Sequence, residues 1–254
     1  MLLSISIGEE KISDILDKVN TFLSKKEGKF YHIANLNPDI FSLAYRDNNF
    51  RSIINGANSI LIDGIGIKFA AKLFGKNSGE RMTGTDLMGL LVEYAAKNRK
   101  KVMFLGGKEN SADFTGKNFK KKFSNLNYTS SNGAYDIKSE TMLEKKNVLI
   151  KIKEFKPDFL FVAYGPPYQE KWIYENKENL KGIVCMGVGG AFNFIAGKVI
   201  RAPKIITSAG FEWLWRFIFE PARIRKLPRQ ISFLFLIFYF YLKFEIGKLS
   251  KFII

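Results

Sequence analysis

Residues 59–75 read SILIDGIGIKFAAKLFG, and the order of residue types in that stretch decides the fold class. Ser59 to Ile62 suit the end of a buried strand, and Asp63 closes it. A carboxylate there would lose much of its hydration unless the chain turned outward, and Gly64 permits the turn. Ile65, Ile67, Phe69, Ala70, Ala71, Leu73 and Phe74 then suit a helix, and Gly75 its C-terminal stop. A strand, a glycine turn and a helix make the unit of an α/β sheet, whose ligands bind at the carboxyl ends of strands. Asp63 stands at such a corner, where it either faces a ligand or caps the following helix.

The same unit recurs on both sides. Upstream, SDILDKVNTFLSKK (13–26) reads as an amphipathic helix leading to a strand in FYHIAN (30–35), and DIFSLAYRDNNFRSIING (39–56) as one helix. Downstream, helices are expected in RMTGTDLMGLLVEYAAKN (81–98), SADFTGKNFKKKF (111–123) and SETMLEKKNVLIKIKEFK (139–156), and a loop followed by a helix in PPYQEKWIYENKENL (166–180). Strands are expected in KVMFLGG (101–107), PDFLFVAYG (157–165) and GIVCMGVGG (182–190). This alternation predicts an α/β core over residues 1–196: a Rossmann-like, largely parallel sheet flanked by helices. Three strand ends carry glycine, at Gly106 and Gly107, at Gly165, and from Gly187 to Gly190. Bare backbone of that kind suits a diphosphate or nucleotide, and equally suits a turn. Neither G-x-G-x-x-G nor G-x-x-x-x-G-K-[ST] is present.

A chain of 254 residues, 46% of them hydrophobic, can bury one large core with a small appendage. The formal charge of +16 calls for an anionic partner. Eleven Lys or Arg against three Glu lie between Gly197 and Ile254, which places half of that charge in the tail. There the run ISFLFLIFYFYL (231–242) is twelve residues long, whereas a spanning helix needs about 20. Framed by Arg223, Arg225, Lys226, Arg229 and Lys243, it reads as a segment lying on an anionic membrane surface, with a core helix or dimer contact as the plainer alternative. Residues 197–254 are therefore set apart as a helical, membrane-associating appendage, and a homo-oligomer is allowed. The lone Cys185 suits a buried thiol in a reducing cytoplasm, and the N-terminus lacks the basic region of a signal peptide. With one histidine, His32, placed in a strand, and no D-x-D pair, no metal site is expected. No zinc pattern, RNP-like motif or basic heptad speaks for nucleic acid.

Taken in chain order, IDGIGI (62–67), ERMTGTDL (80–87), FLGG (104–107), GPPYQEKW (165–172), GVGGAFNFIAG (187–197), RAP (201–203) and GFEWLWRFIFEPAR (210–223) make the chain resemble the WecG/TagA/CpsF family of bacterial glycosyltransferases. The resemblance implies transfer of N-acetylmannosamine, its uronic acid or a related sugar from a UDP-sugar to a polyprenyl-diphosphate-linked sugar. It places that reaction at the cytoplasmic membrane face, with inversion at the anomeric carbon and with neither an essential metal nor a cofactor. Asp63 matches the family's general base. Arg81 is a candidate for gripping a diphosphate, and Gln169 for hydrogen-bonding sugar or uracil. Asn35 and Thr85 belong to the implied binding residues, together with the strand-end glycines Gly106, Gly107, Gly165, Gly189 and Gly190. Arg216, Arg223 and Arg225 fall in the family's C-terminal appendage, implied both to meet the membrane and to complete the site. Tyr168 stands where relatives often carry Lys, and Asn193 where they often carry Asp, positions that bear on donor choice. The competing readings are a nucleotide-dependent oxidoreductase, which lacks its glycine fingerprint, and a basic adaptor of membrane or nucleic acid without catalysis.

Overall fold

Successive side chains of a strand point to opposite faces of a sheet, so strands that are apolar throughout need cover on both sides. The computed structural model describes residues 3–25 and 28–250 and shows how that cover is arranged. In chain order its main elements are α1 (Ile12–Lys25), β1 (Tyr31–Leu36), α2 (Pro38–Arg46), α3 (Asn48–Asn55), β2 (Ser59–Ile62), α4 (Ile65–Leu73), α5 (Gly84–Lys97), β3 (Lys101–Gly106), α6 (Ser111–Lys122) and β4 (Asn127–Ser131). They continue as α7 (Met142–Phe155), β5 (Phe159–Ala163), α8 (Tyr168–Glu175), β6 (Val184–Gly187), α9 (Ala191–Ile195), α10 (Lys204–Ser208), α11 (Glu212–Phe219) and α12 (Leu227–Ser250). Among the described residues, the strands form one sheet of six in the order β2-β1-β6-β5-β3-β4, and every pairing is parallel.

Ile33, Phe104, Phe161 and Met186 face one layer, made by α1, α5, α6 and α9. Their neighbours Ala34, Leu105, Leu160 and Cys185 face the other, where α2, α3, α4 and α12 cover one half and α7 and α8 the other half. The α/β class and the parallel sheet are thus as the sequence implies. His32 is packed in this interior, and burial lowers its proton affinity to about 4. Cys185 is buried as expected, and burial pushes its thiol up.

Two local expectations need correction. Residues 39–56 form two helices, because Asp47 leaves helical geometry and its carboxylate accepts the Phe50 N–H at 3.0 Å, capping α3. β4, with the sequence NYTSS, pairs along the outer edge of β3 and was invisible to hydropathy because it is polar and half exposed.

The tail run forms part of α12, whose two sides differ. Phe233 and Ile237 are buried in the core beside α2 and α4, with Phe233 edge-on to Phe41 at 5.3 Å between ring centres. Arg229 pairs with Asp39 at 2.6 Å, and Ser42 Oγ donates to the Arg229 carbonyl at 2.7 Å. Phe235, Phe238 and Leu242 are exposed. Among the described residues, no helix is long and apolar enough to cross a membrane.

Candidate active site

The register pairs Leu36 with Ile62, so β1 and β2 end level, and the Asp63 N–H extends the ladder by donating to the Leu36 carbonyl at 2.9 Å. Gly64 then turns the chain at φ +146°, a conformation that side chains rarely adopt. It is Gly64, not Asp63, that occupies the N-cap of α4, so the capping reading of Asp63 does not hold. The Asp63 side chain instead joins the wall of a cavity of about 490 Å³ over the carboxyl ends of β2, β1 and β6. A wider groove along α7, lined by Lys145, Lys146 and Lys153, lies away from these strand ends and holds none of the expected site residues.

The cavity is roofed by the tail. Its wall combines Asn35, Asp63, Arg81, Thr85, Gln169, Gly189 and Gly190 from the core with Glu212, Arg216, Arg223 and Lys226 from beyond Gly197. Apolar side chains gather at it as well: Ile65, Phe69, Phe211, Trp213, Phe217 and Leu234. A cavity lined by both charged and apolar side chains suits a ligand that carries an anionic group and a greasy one.

Burial raises the Asp63 carboxyl to about 6; the Glu212 carboxylate adds to the shift, while the Gly84 N–H, Arg216 and Arg81 oppose it. A carboxylate tuned so close to neutrality is suited to taking up a proton. Arg216 is half-buried, with its guanidinium stacked 4.1 Å from the centre of the Phe194 ring. Burial and the neighbouring Arg223 lower its proton affinity to about 10, so it stays charged at neutral pH. Arg216 Nη2 donates to the Gly190 carbonyl at 3.4 Å, and Arg223 Nε lies 2.9 Å from Glu220. Both arginines close on Gly190: a Cβ at that position would stand 2.6 Å from Arg223 Nη2 and 3.2 Å from Arg216 Nη2. The bare Cα there lets both guanidinium ends approach this closely.

The remaining expected residues divide clearly. Arg81 reaches the cavity, yet its Nη2 is engaged by the carbonyls of Thr207 and Ser208 at 2.7 and 2.8 Å. The buried Gln169 accepts the N–H groups of Gly165 and Gly189 through Oε1, both at 3.0 Å, and donates from Nε2 to Glu170 at 2.7 Å. It clamps two strand-end loops together. Glu170 is buried below it, and burial raises its carboxyl to about 7. Asn35 donates to the Gly187 carbonyl at 2.7 Å and keeps a buried Oδ1 without a partner. Thr85 lies in the first turn of α5, whose cap is Thr83.

Gly106, Gly107, Gly165 and Arg225 are not part of the cavity wall. Gly106 and Gly107 have positive φ and stand against Tyr164, Ser111 and Phe192, so their bareness serves chain turning and packing. Arg225 is exposed, and Lys226 takes the place expected of it. Residues 221–226 form a 3₁₀ turn, in which side chains three apart eclipse, so Arg223 shares its side with Lys226. Lys226 and Glu212 are among the cavity residues that reading the sequence did not assign to the site, with Asp39, Thr83 and Gln230; the first needs the 3₁₀ period, and the second lay unremarked in GFEWLW. Tyr168 and Asn193 are likewise outside the wall, and Asn193 accepts from Ser111 Oγ at 3.1 Å.

Residues 1–246 match the profile of the Glycosyl transferase WecG/TagA/CpsF family. The chain is similar to an N-acetylglucosaminyldiphosphoundecaprenol N-acetyl-beta-D-mannosaminyltransferase of Staphylococcus aureus (strain NCTC 8325 / PS 47), with 28% identity over 92% of this chain and 90% of the relative. The protein of the same description in strain MRSA252 is 27% identical over the same shares.

Proposed function

Because the chain belongs to the WecG/TagA/CpsF glycosyltransferase family, we propose that it transfers N-acetylmannosamine from a UDP-sugar to an N-acetylglucosaminyl-diphosphate-linked polyprenol. The observation that carries this reading is the shared cavity of Asp63 with Arg216, Arg223 and Lys226. The acceptor hydroxyl attacks the anomeric carbon as the bond from that carbon to the diphosphate oxygen breaks. Asp63 takes the hydroxyl proton, and the three cations meet the charge that develops on departing UDP. Attack opposite the leaving group inverts the anomeric centre. Asn35 and Thr85 offer polar contacts along the same wall, while Gln169 acts through the loops it clamps.

The lipid arm of the acceptor suits the apolar lining residues Phe69, Trp213 and Leu234, of which Phe69 and Leu234 are more than 60% exposed. The protein docks peripherally on the cytoplasmic membrane face, where the exposed side of α12 and the basic tail meet acyl chains and anionic headgroups together. Neither attraction alone gives lasting attachment.

The decisive test incubates the full chain with UDP-N-acetylmannosamine and a short-chain N-acetylglucosaminyl-diphosphate lipid, with the product weighed by mass spectrometry. The expected result is a gain of one N-acetylhexosamine and release of UDP. If no member of a UDP-sugar panel is transferred to that acceptor, the reading fails.

A further inference from the structure

Two sequence motifs, TGTDL at 83–87 and RAP at 201–203, meet across the rim of the cavity. Arg201 Nη1 lies 2.7 Å from Asp86 Oδ1, and Nη2 donates to Asp86 Oδ2 at 2.7 Å and to Thr83 Oγ1 at 3.1 Å. This is a two-pronged guanidinium–carboxylate pair, the geometry in which a part-exposed ion pair carries more than its ordinary small weight. Its acceptor is already fixed: Thr83 Oγ1 donates to Asp86 Oδ2 at 2.7 Å, and the Asp86 N–H returns to Thr83 Oγ1 at 3.2 Å. Burial raises the Asp86 carboxyl, but the hydrogen bonds from Arg201 and Thr83 outweigh it and hold the group below the usual carboxylate range.

On its other side Arg201 Nη2 stands 3.8 Å from Glu212 Oε2, and Glu212 Oε1 is 3.9 Å from Arg216 Nε one helical turn later. A second tie runs the opposite way, from Arg81 of the core to the carbonyls that end α10. These polar ties matter because apolar packing is thin: neither α10 nor α11 buries a single residue. A segment with so little buried area opens easily unless specific contacts hold it.

We propose that Arg201 is a positioning residue, latching the α10–α11 segment to the core through Asp86 and Thr83 and so setting Glu212 and Arg216 over the cavity. The kinetic consequence rests on the glycosyl-transfer reading, whereas the latch itself does not. Misplacing a catalytic group by about 1 Å costs on the order of 10²-fold in rate. An unlatched protein therefore keeps its core and loses turnover.

The test is backbone hydrogen exchange, followed by mass spectrometry on the full chain, for the parent, Arg201→Gln, Asp86→Asn, the double variant and Arg201→Lys. Exchange over 204–219 is expected to rise at least about tenfold in each of the first two variants, with β1 and β3 unchanged. The double variant should be no faster than either single one, because both remove the same contact. Arg201→Lys, which keeps the charge but not the fork, should fall between. In parallel, kcat/KM should drop roughly 10²-fold. Unchanged protection over 204–219 in both single variants, or effects that multiply in the double one, would overturn the latch. Should Arg201→Gln expose β1 and β3, Asp86→Asn and Arg201→Lys decide the matter by the same criteria. If the parent protein transfers no sugar, the functional reading falls while the exchange result still decides the latch.

Discussion

Asp63 is a carboxylate held where hydration is scarce, and its raised affinity for protons fixes both its chemistry and its cost. Below about pH 6 it is protonated and unable to serve as the proposed base, so kcat/KM should fall about tenfold per pH unit on the acid side. A pH profile flat down to pH 5 would remove Asp63 from the role. Asp63→Asn should lower transfer by roughly 10² to 10⁴-fold while leaving UDP binding, measured calorimetrically, close to that of the parent. The stability effect has the opposite sign. Folding raises this group's proton affinity above its unfolded value, so its ionisation penalises the native state as pH rises from about 4 through 6. Asp63→Asn should therefore be more stable than the parent at pH 7, with the advantage gone below about pH 4. Urea melts at the two pH values check this. At Gly190 the backbone has ordinary φ, so Gly190→Ala meets only the ends of Arg223 and Arg216. Activity should fall roughly tenfold or more as those ends are displaced, with little change in Tm.

At the scale of elements, α12 has two unlike sides with separable jobs. Phe233 is 2% exposed and packs edge-on to Phe41, so Phe233→Ala should cost about 3–5 kcal/mol in a urea melt, as buried phenylalanines do. The opposite side carries Phe235, Phe238 and Leu242 into solvent. Their joint replacement by Ser should leave the melt within about 1 kcal/mol of the parent, because surface substitutions remove little native contact. A large destabilisation there would mean that this side packs on something within the protein.

For the whole molecule, the proposed peripheral docking has the excess of positive charge and the exposed side of α12 meet the same membrane surface. Vesicles of anionic lipid should co-sediment with the protein, and the Phe235, Phe238 and Leu242 triple variant should lose that binding while retaining turnover of a short-chain, soluble acceptor. Raising salt should weaken binding of the parent, since screening shortens the reach of surface charge to about 8 Å at physiological ionic strength. Equal binding to neutral and anionic vesicles would argue against a role for the basic tail.

The α/β class and the parallel sheet were legible in SILIDGIGIKFAAKLFG and its repeats, because hydropathic period and a glycine turn are local properties, whereas for Asp63 the stretch left a ligand-facing position and a helix cap equally open. The arginines of the tail were legible as charges, and Arg216 and Arg223 do reach the cavity. What local reading could not supply was direction. Gly106, Gly107 and Gly165 stand at strand ends as Gly189 does, yet of these strand-end glycines Gly189 and Gly190 stand beneath the tail, because β6 lies next to β1 in the sheet and neither β3 nor β5 does. Arg225 and Lys226 are one residue apart, and a 3₁₀ turn chose between them. The latch of Arg201 on Asp86 joins residues 115 apart in sequence. Side-chain chemistry along a chain is written in its residues, whereas which of those residues share a cavity depends on strand order and helix phase, and tertiary packing decides both.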